Sequence, residues 1–155
     1  MMTPEGASAR AKPRAWRRRS ESACAASLIH CSTMVDRPGV NVVRIVNGAG
    51  VTVVERCSVA DKPWTRMRGL LGRKTLPRGE GILLRPAASV HMFFMAFAID
   101  VVWLDRDLQV LGVTPELRPW RMAGRRGARC ALELAAGECE RRGVRSGDRL
   151  RMTAA

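Results

Sequence analysis

The sequence has no apolar run long enough to cross a membrane. A transmembrane helix needs about 20 consecutive apolar residues, and the longest apolar stretch, Val90 to Ile99, is far shorter and contains a histidine. The sequence also lacks a metal clip, because no two of its five cysteines are spaced as C-x-x-C. These cysteines are Cys24, Cys31, Cys57, Cys130 and Cys139. We therefore expect no transmembrane segment, no metal, no cofactor, and reduced thiols in a cytoplasmic compartment.

Lysine is scarce, so the net charge of +13 comes almost entirely from arginine. The chain contains 24 Arg and only 3 Lys, with abundant Ala and Gly. That bias is typical of a GC-rich genome rather than of a surface selected for nucleic acid. From residue 34 onward the net charge is still +9, with 21 basic and 12 acidic residues. The charge predicts nonspecific attraction to polyanions and no more.

The motifs that define common enzyme classes are missing as well. There is no nucleophile elbow, no phosphate-binding glycine loop and no zinc-protease helix. No internal repeat is visible. The sequence therefore assigns no reaction.

Residues 1–33 form a leader that we expect to be disordered or to follow from a misassigned translation start. They are rich in Ala, Arg and Ser and show no periodic apolar pattern. A signal peptide is the alternative, since the basic run Arg14–Arg19 precedes a weak apolar stretch, but a clear cleavage pattern is missing. We predict that a chain starting at Met34 keeps the melting temperature of the full chain. A drop of more than a few degrees would mean that the leader packs on the domain.

Residues 34–155 predict a single mainly β (α+β) domain, a small barrel or sandwich with one or two short helices. The first two strands, Val40–Val46 and Val51–Cys57, are joined by an Asn-Gly-Ala-Gly turn. Asp61 is expected to cap a helix that runs to about Leu71 with Pro63 in its first turn. The remaining predicted elements are strands at Ile82–Arg85, Ser89–Met95, Ile99–Leu104, Leu108–Thr114, Ala128–Ala135 and Arg149–Thr153, a basic loop at Pro115–Gly127 and a helical turn at Glu138–Gly143.

Four segments in a fixed order resemble one bacterial and archaeal family, the domain of unknown function 192, also called uncharacterised protein family 0127. They are Gly69–Arg73 (GLLGR), Val90–Asp105 (VHMFFMAFAIDVVWLD), Leu117–Arg121 (LRPWR), and Leu132–Gly137 (LELAAG) with Ser146–Asp148 (SGD). The resemblance spans about Val42 to Met152 and implies a compact β-rich fold without an established activity. Many members of the family look exported or membrane-tethered, and this chain differs in lacking a convincing export signal.

The candidate catalytic residues are His91, Asp100 and Glu133. Asp100 and Glu133 both lie within strongly apolar strands, where an unpaired carboxylate would be costly. We therefore predict that Asp100 is buried against Arg68, Arg73 or His91. Such a network is suited to acid–base catalysis, to ligand binding, or simply to fixing the fold.

The candidate ligand-binding residues also include Met95 and Trp120. Met95 lies in the same predicted strand as His91, and Trp120 lies within the arginine-rich segment 117–129, where it is expected to cover one end of the barrel. His91 and the nearby methionines, with Cys57 or Cys130, also permit a copper site, although Met in a strand is more often core. The full ligand-binding set is Arg68, Arg73, His91, Met95, Asp100, Trp120 and Glu133.

The function that the sequence favours is a noncatalytic accessory module that binds a small ligand or a protein partner at the His91–Asp100–Glu133 face. The first alternative is an enzyme that uses these groups on a small substrate, and the second is a polyanion-binding or nucleic-acid-binding protein acting through segment 117–129. An open cleft lined by His91 and a carboxylate with shifted titration would favour the enzyme. A closed, fully paired cluster would favour a structural role.

Overall fold

The computed structural model describes residues 41–155, so the predicted leader at residues 1–33 lies outside the described residues. The described part is mainly β, with two short helices, which confirms the predicted fold class. The strands are β1 Asn41–Asn47, β2 Thr52–Ala60, β3 Glu80–Leu84, β4 Ser89–His91, β5 Ile99–Leu104, β6 Val110–Leu117, β7 Met122–Gly124, β8 Cys130–Ala135 and β9 Leu150–Ala154. The helices are α1 Pro63–Arg68 and α2 Glu138–Arg141. Within residues 41–155 no helix is long and apolar enough to span a membrane.

Seven strands form one mixed sheet in the order β6-β5-β8-β3-β2-β1-β9, and β4 pairs with β7 in a separate ribbon. The sheet is antiparallel except for the β2–β3 pair, which is parallel and connected through α1. The two edge strands approach each other at a single bridge between Gln109 and Arg149. The sheet is therefore curled, but it is not a closed barrel.

The hairpin between β1 and β2 is confirmed, and its turn chemistry explains it. The Asn47 side-chain oxygen accepts hydrogen bonds from the backbone N–H groups of Ala49 and Val51, at 3.0 and 2.9 Å. Gly50 has φ of +81°, a conformation that glycine adopts without steric cost. The β-branched flanks of the turn can then pair as neighbouring strands.

The segment after the hairpin differs from the prediction. β2 continues to Ala60, because its last residues pair with β3 instead of breaking at Ser58. The helix N-cap is Lys62 rather than Asp61, with no side-chain cap bond, although Pro63 is in the first turn as predicted. α1 ends at Arg68, before the predicted end near Leu71, because Gly69 turns the chain away with φ of +38°.

Two further predictions were wrong in their boundaries. The strand predicted at Ser89–Met95 ends at His91, and Phe94 lies in a turn with φ of +62°. The loop predicted at Pro115–Gly127 contains the end of β6 and the whole of β7. β7 forms there because Met122 to Gly124 pair with β4. A contact distant in sequence thus decides the conformation of a segment with no strand pattern of its own.

The sheet separates two apolar cores. The first draws residues from all seven strands and from α2, and it includes Leu132 and Leu134 of β8. The second lies on the other face, over β3, β5 and β8, and is covered by the β4–β7 ribbon and by Leu70 and Leu76. Trp103 is buried in the second core and donates from Nε1 to the Thr114 hydroxyl at 2.9 Å. A side chain of β5 or β8 therefore enters one core or the other according to its position along the strand.

Candidate functional site

A cavity of about 410 Å³ opens on the second face of the sheet. This volume is within the ordinary range of small-molecule sites. Residues of α1 and the turn after it form one wall, and residues of β4 with its flanking loops form the other. The buried apolar side chains that line the cavity include Leu70, Leu84, Val90, Met92, Met95 and Ile99. The site is thus a pocket that adjoins the second core and whose lining is divided about equally between polar and apolar surface.

Glu133 is the acidic residue of this pocket, and its environment is unusual. Its side chain is 5% exposed, and among residues 41–155 its Oε2 atom has no hydrogen-bond partner. Burial raises the pKa of this carboxyl to about 7. Buried carboxylates are normally paired or hydrogen-bonded. A buried and unpaired acid that lines a cavity is the strongest indication of a binding group in the described part of the chain.

β8 places Glu133 in the pocket through its register with two neighbours. Glu133 lies opposite Val101 of β5 and Ile82 of β3. Directly opposed residues of paired strands project from the same face of the sheet. Val101 and Ile82 belong to the second core, so Glu133 projects into that core as well.

The α1 wall is held in place by Arg66. Its Nη1 atom donates to the backbone carbonyl oxygens of Asp61 and Arg85, at 2.7 and 3.2 Å. These bonds join the start of α1 to the end of β3, which carries the pocket residue Leu84. The guanidinium of Arg66 is therefore partly occupied in a structural role. Arg68 also lines the pocket, and its side chain is exposed.

His91 and Met95 contribute to the opposite wall. His91 is exposed, and its ring stacks on Phe93 with the ring centroids 5.2 Å apart. Met95 is buried and lines the same pocket. Of the predicted ligand-binding residues, the structure thus brings together Arg68, His91, Met95 and Glu133. The cluster is open to solvent rather than a closed and fully paired network.

Asp100 corrects the predicted cluster. It is completely buried, as expected, but the proposed partners Arg68, Arg73 and His91 are wrong. Its two carboxylate oxygens accept hydrogen bonds from the backbone N–H groups of Glu116 and Cys139, both at 2.9 Å. Asp100 lies opposite Leu134, whereas Glu133 lies opposite Val101, so the two carboxylates project from opposite faces of the sheet. Asp100 therefore fixes the end of β6 and the start of α2, and it is not among the residues that line the pocket.

The residues around Asp100 hold α2 in place. Burial, and then the adjacent Asp100 carboxylate, raise the pKa of the Cys139 thiol. In α2, a hydrogen bond from Arg141 holds the pKa of Glu138 below its ordinary value. Arg78 and Arg142 also form ion pairs with Glu138, at 3.7 and 3.6 Å. These contacts hold α2 in the position from which the Cys139 N–H reaches Asp100.

Two other candidates also lie outside the pocket lining. Arg73 forms an ion pair with Glu80 at 3.8 Å. Trp120 is 61% exposed and contacts the rings of Phe93 and Phe94 instead of covering an end of a barrel.

A copper site does not form from the residues named for it. Cys57 and Cys130 belong to the first core, whereas Met92 and Met95 belong to the second, so the sheet separates the two pairs. Nor does any group of three His, Cys, Asp or Glu side chains within residues 41–155 have the geometry to hold a metal ion.

Several pocket residues were not predicted as site residues. Leu70, Leu84, Val90 and Ile99 are apolar and occur in segments where the sequence indicates only a core. Their apolar character predicts that they are buried, but it does not indicate that a cavity remains between them. No local signal in the sequence distinguishes them from ordinary core residues.

The chain belongs to the domain of unknown function 192 family, an uncharacterized group whose model matches residues 44–152. A UPF0127 protein of Thermococcus sibiricus is 32% identical over 100 residues, which cover 61% of this chain and 64% of that protein. A UPF0127 protein of Pyrococcus furiosus is 39% identical over 97 residues, which cover 59% of this chain and 81% of that protein. The chain thus matches less than two thirds of the length of the Thermococcus relative. The resemblance drawn from the sequence motifs is confirmed.

Two solved structures share the fold. A protein of Sinorhizobium meliloti, described as a candidate transcription regulator, has a TM-score of 0.64 and 25% identity over 73% of this chain and 93% of its own. A protein of unknown function from Novosphingobium aromaticivorans has a TM-score of 0.63 and 22% identity over 72% of this chain and 84% of its own. These likenesses support the β-rich fold. The family has no specific established function.

Proposed function

We propose that this protein is a noncatalytic module that binds a small ligand in the pocket over Glu133. The observation that carries the proposal is the Glu133 carboxyl, which is 5% exposed and has no partner for Oε2 among the described residues. A ligand that brings a hydrogen-bond donor to this atom would satisfy a group that burial otherwise leaves unpaired. The pocket of about 410 Å³ has room for an apolar body attached to that donor.

The chemistry of the pocket limits the class of ligand. An ammonium or hydroxyl group can donate to the ionised carboxylate, whereas a carboxylate at the same position would be repelled. The buried apolar side chains of the lining, among them Met92, Met95 and Ile99, favour an alkyl or similar body next to that donor. We therefore propose a ligand with an apolar body and a terminal cationic or neutral donor directed at Glu133.

The test uses n-hexylamine, whose ammonium group remains charged from pH 5.5 to 8. Because an ammonium group pairs with the ionised form of Glu133, its affinity should rise about 30-fold across this range, following the ionisation of a group with pKa about 7. Isothermal titration calorimetry at both pH values measures this ratio. n-Hexanol, which carries no charge, should show a much smaller change.

Glu133→Gln should abolish the pH dependence and weaken hexylamine binding at pH 8 about tenfold or more, since a charge-assisted hydrogen bond is lost. The matched control is Glu140→Gln, which removes an exposed carboxylate from α2 and should leave binding unchanged. The proposal fails if hexylamine binds equally well to the wild type and to Glu133→Gln.

An acid–base enzyme is the second candidate, because His91 and Glu133 line the same open pocket, which is the arrangement expected above of an enzyme. The noncatalytic module comes first because no hydrogen bond joins His91 to the unpaired Oε2 atom of Glu133. A carboxyl with pKa about 7 can exchange protons at neutral pH. The noncatalytic proposal predicts that a small ligand bound in the pocket is recovered unchanged. A compound that the wild type converts and that Glu133→Gln binds without converting would favour the enzyme.

The compartment proposed for this module is the cytoplasm. Cys57, Cys130 and Cys139 are all free and buried, which suits a reducing environment.

A further inference from the structure

Two turns next to the pocket and the first residue of β7 present an apolar surface to solvent. Phe94 is 73% exposed, Trp120 61%, Met122 64% and Phe93 36%. The Phe94 and Trp120 rings meet edge to face with their centroids 5.1 Å apart, and Phe93 lies 6.2 Å from Trp120. We call these four residues, together with Arg118 and Arg121, the aromatic–arginine surface.

The backbone fixes this surface in place. The Trp120 N–H donates to the Met92 carbonyl oxygen at 2.9 Å, and the Met92 N–H donates to the Arg121 carbonyl oxygen at 2.8 Å. These bonds tie the turn after β4 to the turn before β7. The paired backbone therefore holds the two turns that carry Phe94 and Trp120 next to each other.

Both exposed aromatics occupy a backbone conformation that disfavours them. Phe94 and Trp120 each have φ of +62°. Glycine and asparagine adopt this conformation much more readily than bulky residues do. Exposed aromatic side chains at two such positions are not explained by burial or by backbone preference. Strain of this kind is concentrated at functional positions.

The segment that carries Trp120 has charge of one sign. Segment 117–129 carries Arg118, Arg121, Arg125, Arg126 and Arg129 and no acidic residue. All five are exposed, and within residues 41–155 none forms an ion pair with a carboxylate. Aromatic rings beside basic side chains match the interface of an anionic bilayer, where rings enter the headgroup layer and cations attract the lipid phosphates.

We propose that the aromatic–arginine surface docks this protein on an anionic lipid membrane. The inference is independent of the ligand pocket, because none of its evidence involves Glu133. A membrane accounts for the surface better than nucleic acid does, since Phe94 and Trp120 contact each other as one apolar unit rather than offering separate faces for stacked bases. Phe93 borders the same rings and also stacks on the pocket residue His91, so docking brings the pocket wall close to the lipid.

The test is sedimentation of the full chain with phosphatidylcholine vesicles, with and without phosphatidylglycerol. The wild type should bind the anionic vesicles at least about tenfold more strongly than the neutral ones, and added salt should weaken the binding. The double variant Phe94→Asn/Trp120→Asn should lose at least about tenfold in partitioning while its melting temperature stays equal or rises, since asparagine tolerates a positive φ. The matched control Val51→Asn removes an exposed apolar residue from the β1–β2 turn and should bind normally.

Substitution of Arg118 and Arg121 gives a second, independent test of the same proposal. Each basic side chain at an anionic surface contributes about fivefold in partitioning, so Arg118→Gln/Arg121→Gln should bind about 25-fold more weakly. Arg44→Gln/Arg151→Gln, on β1 and β9, removes the same charge and should have little effect. The proposal is overturned if the wild type binds anionic vesicles no better than neutral ones, or if Phe94→Asn/Trp120→Asn binds them as the wild type does. It is also overturned if a DNA duplex binds more tightly than the vesicles and the binding is insensitive to Phe94 and Trp120.

Discussion

Glu133→Gln should gain about 3 kcal/mol in free energy of unfolding over the wild type when the pH is raised from 4.5 to 8. Burial raises the pKa of Glu133 from 4.5 to about 7, so the folded protein holds this proton more tightly than the unfolded chain does. The Glu133 proton therefore stabilises the folded state fully below pH 4.5. This contribution is lost as the pH rises from 4.5 to about 7. Glutamine does not ionise, and the variant should not show this loss.

Urea unfolding of the wild type and of Glu133→Gln at a series of pH values measures the effect. The wild-type free energy of unfolding should fall by about 1.4 kcal/mol per pH unit between pH 4.5 and 7, relative to the variant, and the difference should then level off. Glu140→Gln removes an exposed carboxylate and is the control for the change in net charge. A constant difference between the wild type and Glu133→Gln across this range would show that Glu133 titrates normally and is not the buried group described here.

Asp100→Ala should destabilise the protein by about 3 kcal/mol or more. The substitution removes the acceptors of the Glu116 and Cys139 N–H groups, and each buried donor left unpaired costs about 1–3 kcal/mol. The loss should appear as a lower free energy of unfolding at neutral pH. Hexylamine binding should persist in the fraction that folds, because Asp100 does not line the pocket.

The control for this variant is Asp107→Ala, which removes an exposed carboxylate from the turn after β5 and should change stability by less than about 0.5 kcal/mol. Asp100→Asn keeps one acceptor oxygen but directs an amide N–H₂ at the other donor, so its cost should be similar to that of alanine or slightly smaller. If Asp100→Ala proves as mild as the control, the two backbone hydrogen bonds do not hold β6 and α2 as the structure indicates.

The β1–β2 hairpin and the burial of Asp100 could be predicted because local chemistry determines them. Asn47 and Gly50 favour their turn wherever it occurs, and the apolar residues around Asp100 exclude water whatever their partners are. The partners of Asp100 could not be predicted. Two of its hydrogen bonds come from backbone N–H groups 16 and 39 residues away, and such donors leave no signature in residue type.

The sequence by itself determined the family, the β-rich class and the residues that avoid water. The tertiary structure decided on which side of the sheet each of them lies. In the β5–β8 pair the opposed residues are Asp100 with Leu134 and Val101 with Glu133, and successive positions project to opposite faces. Asp100 therefore became a structural acceptor in one core, and Glu133 became an unpaired acid in a pocket on the other. Both are carboxylates in apolar strands, and only the register of strands distant in sequence gives them different roles.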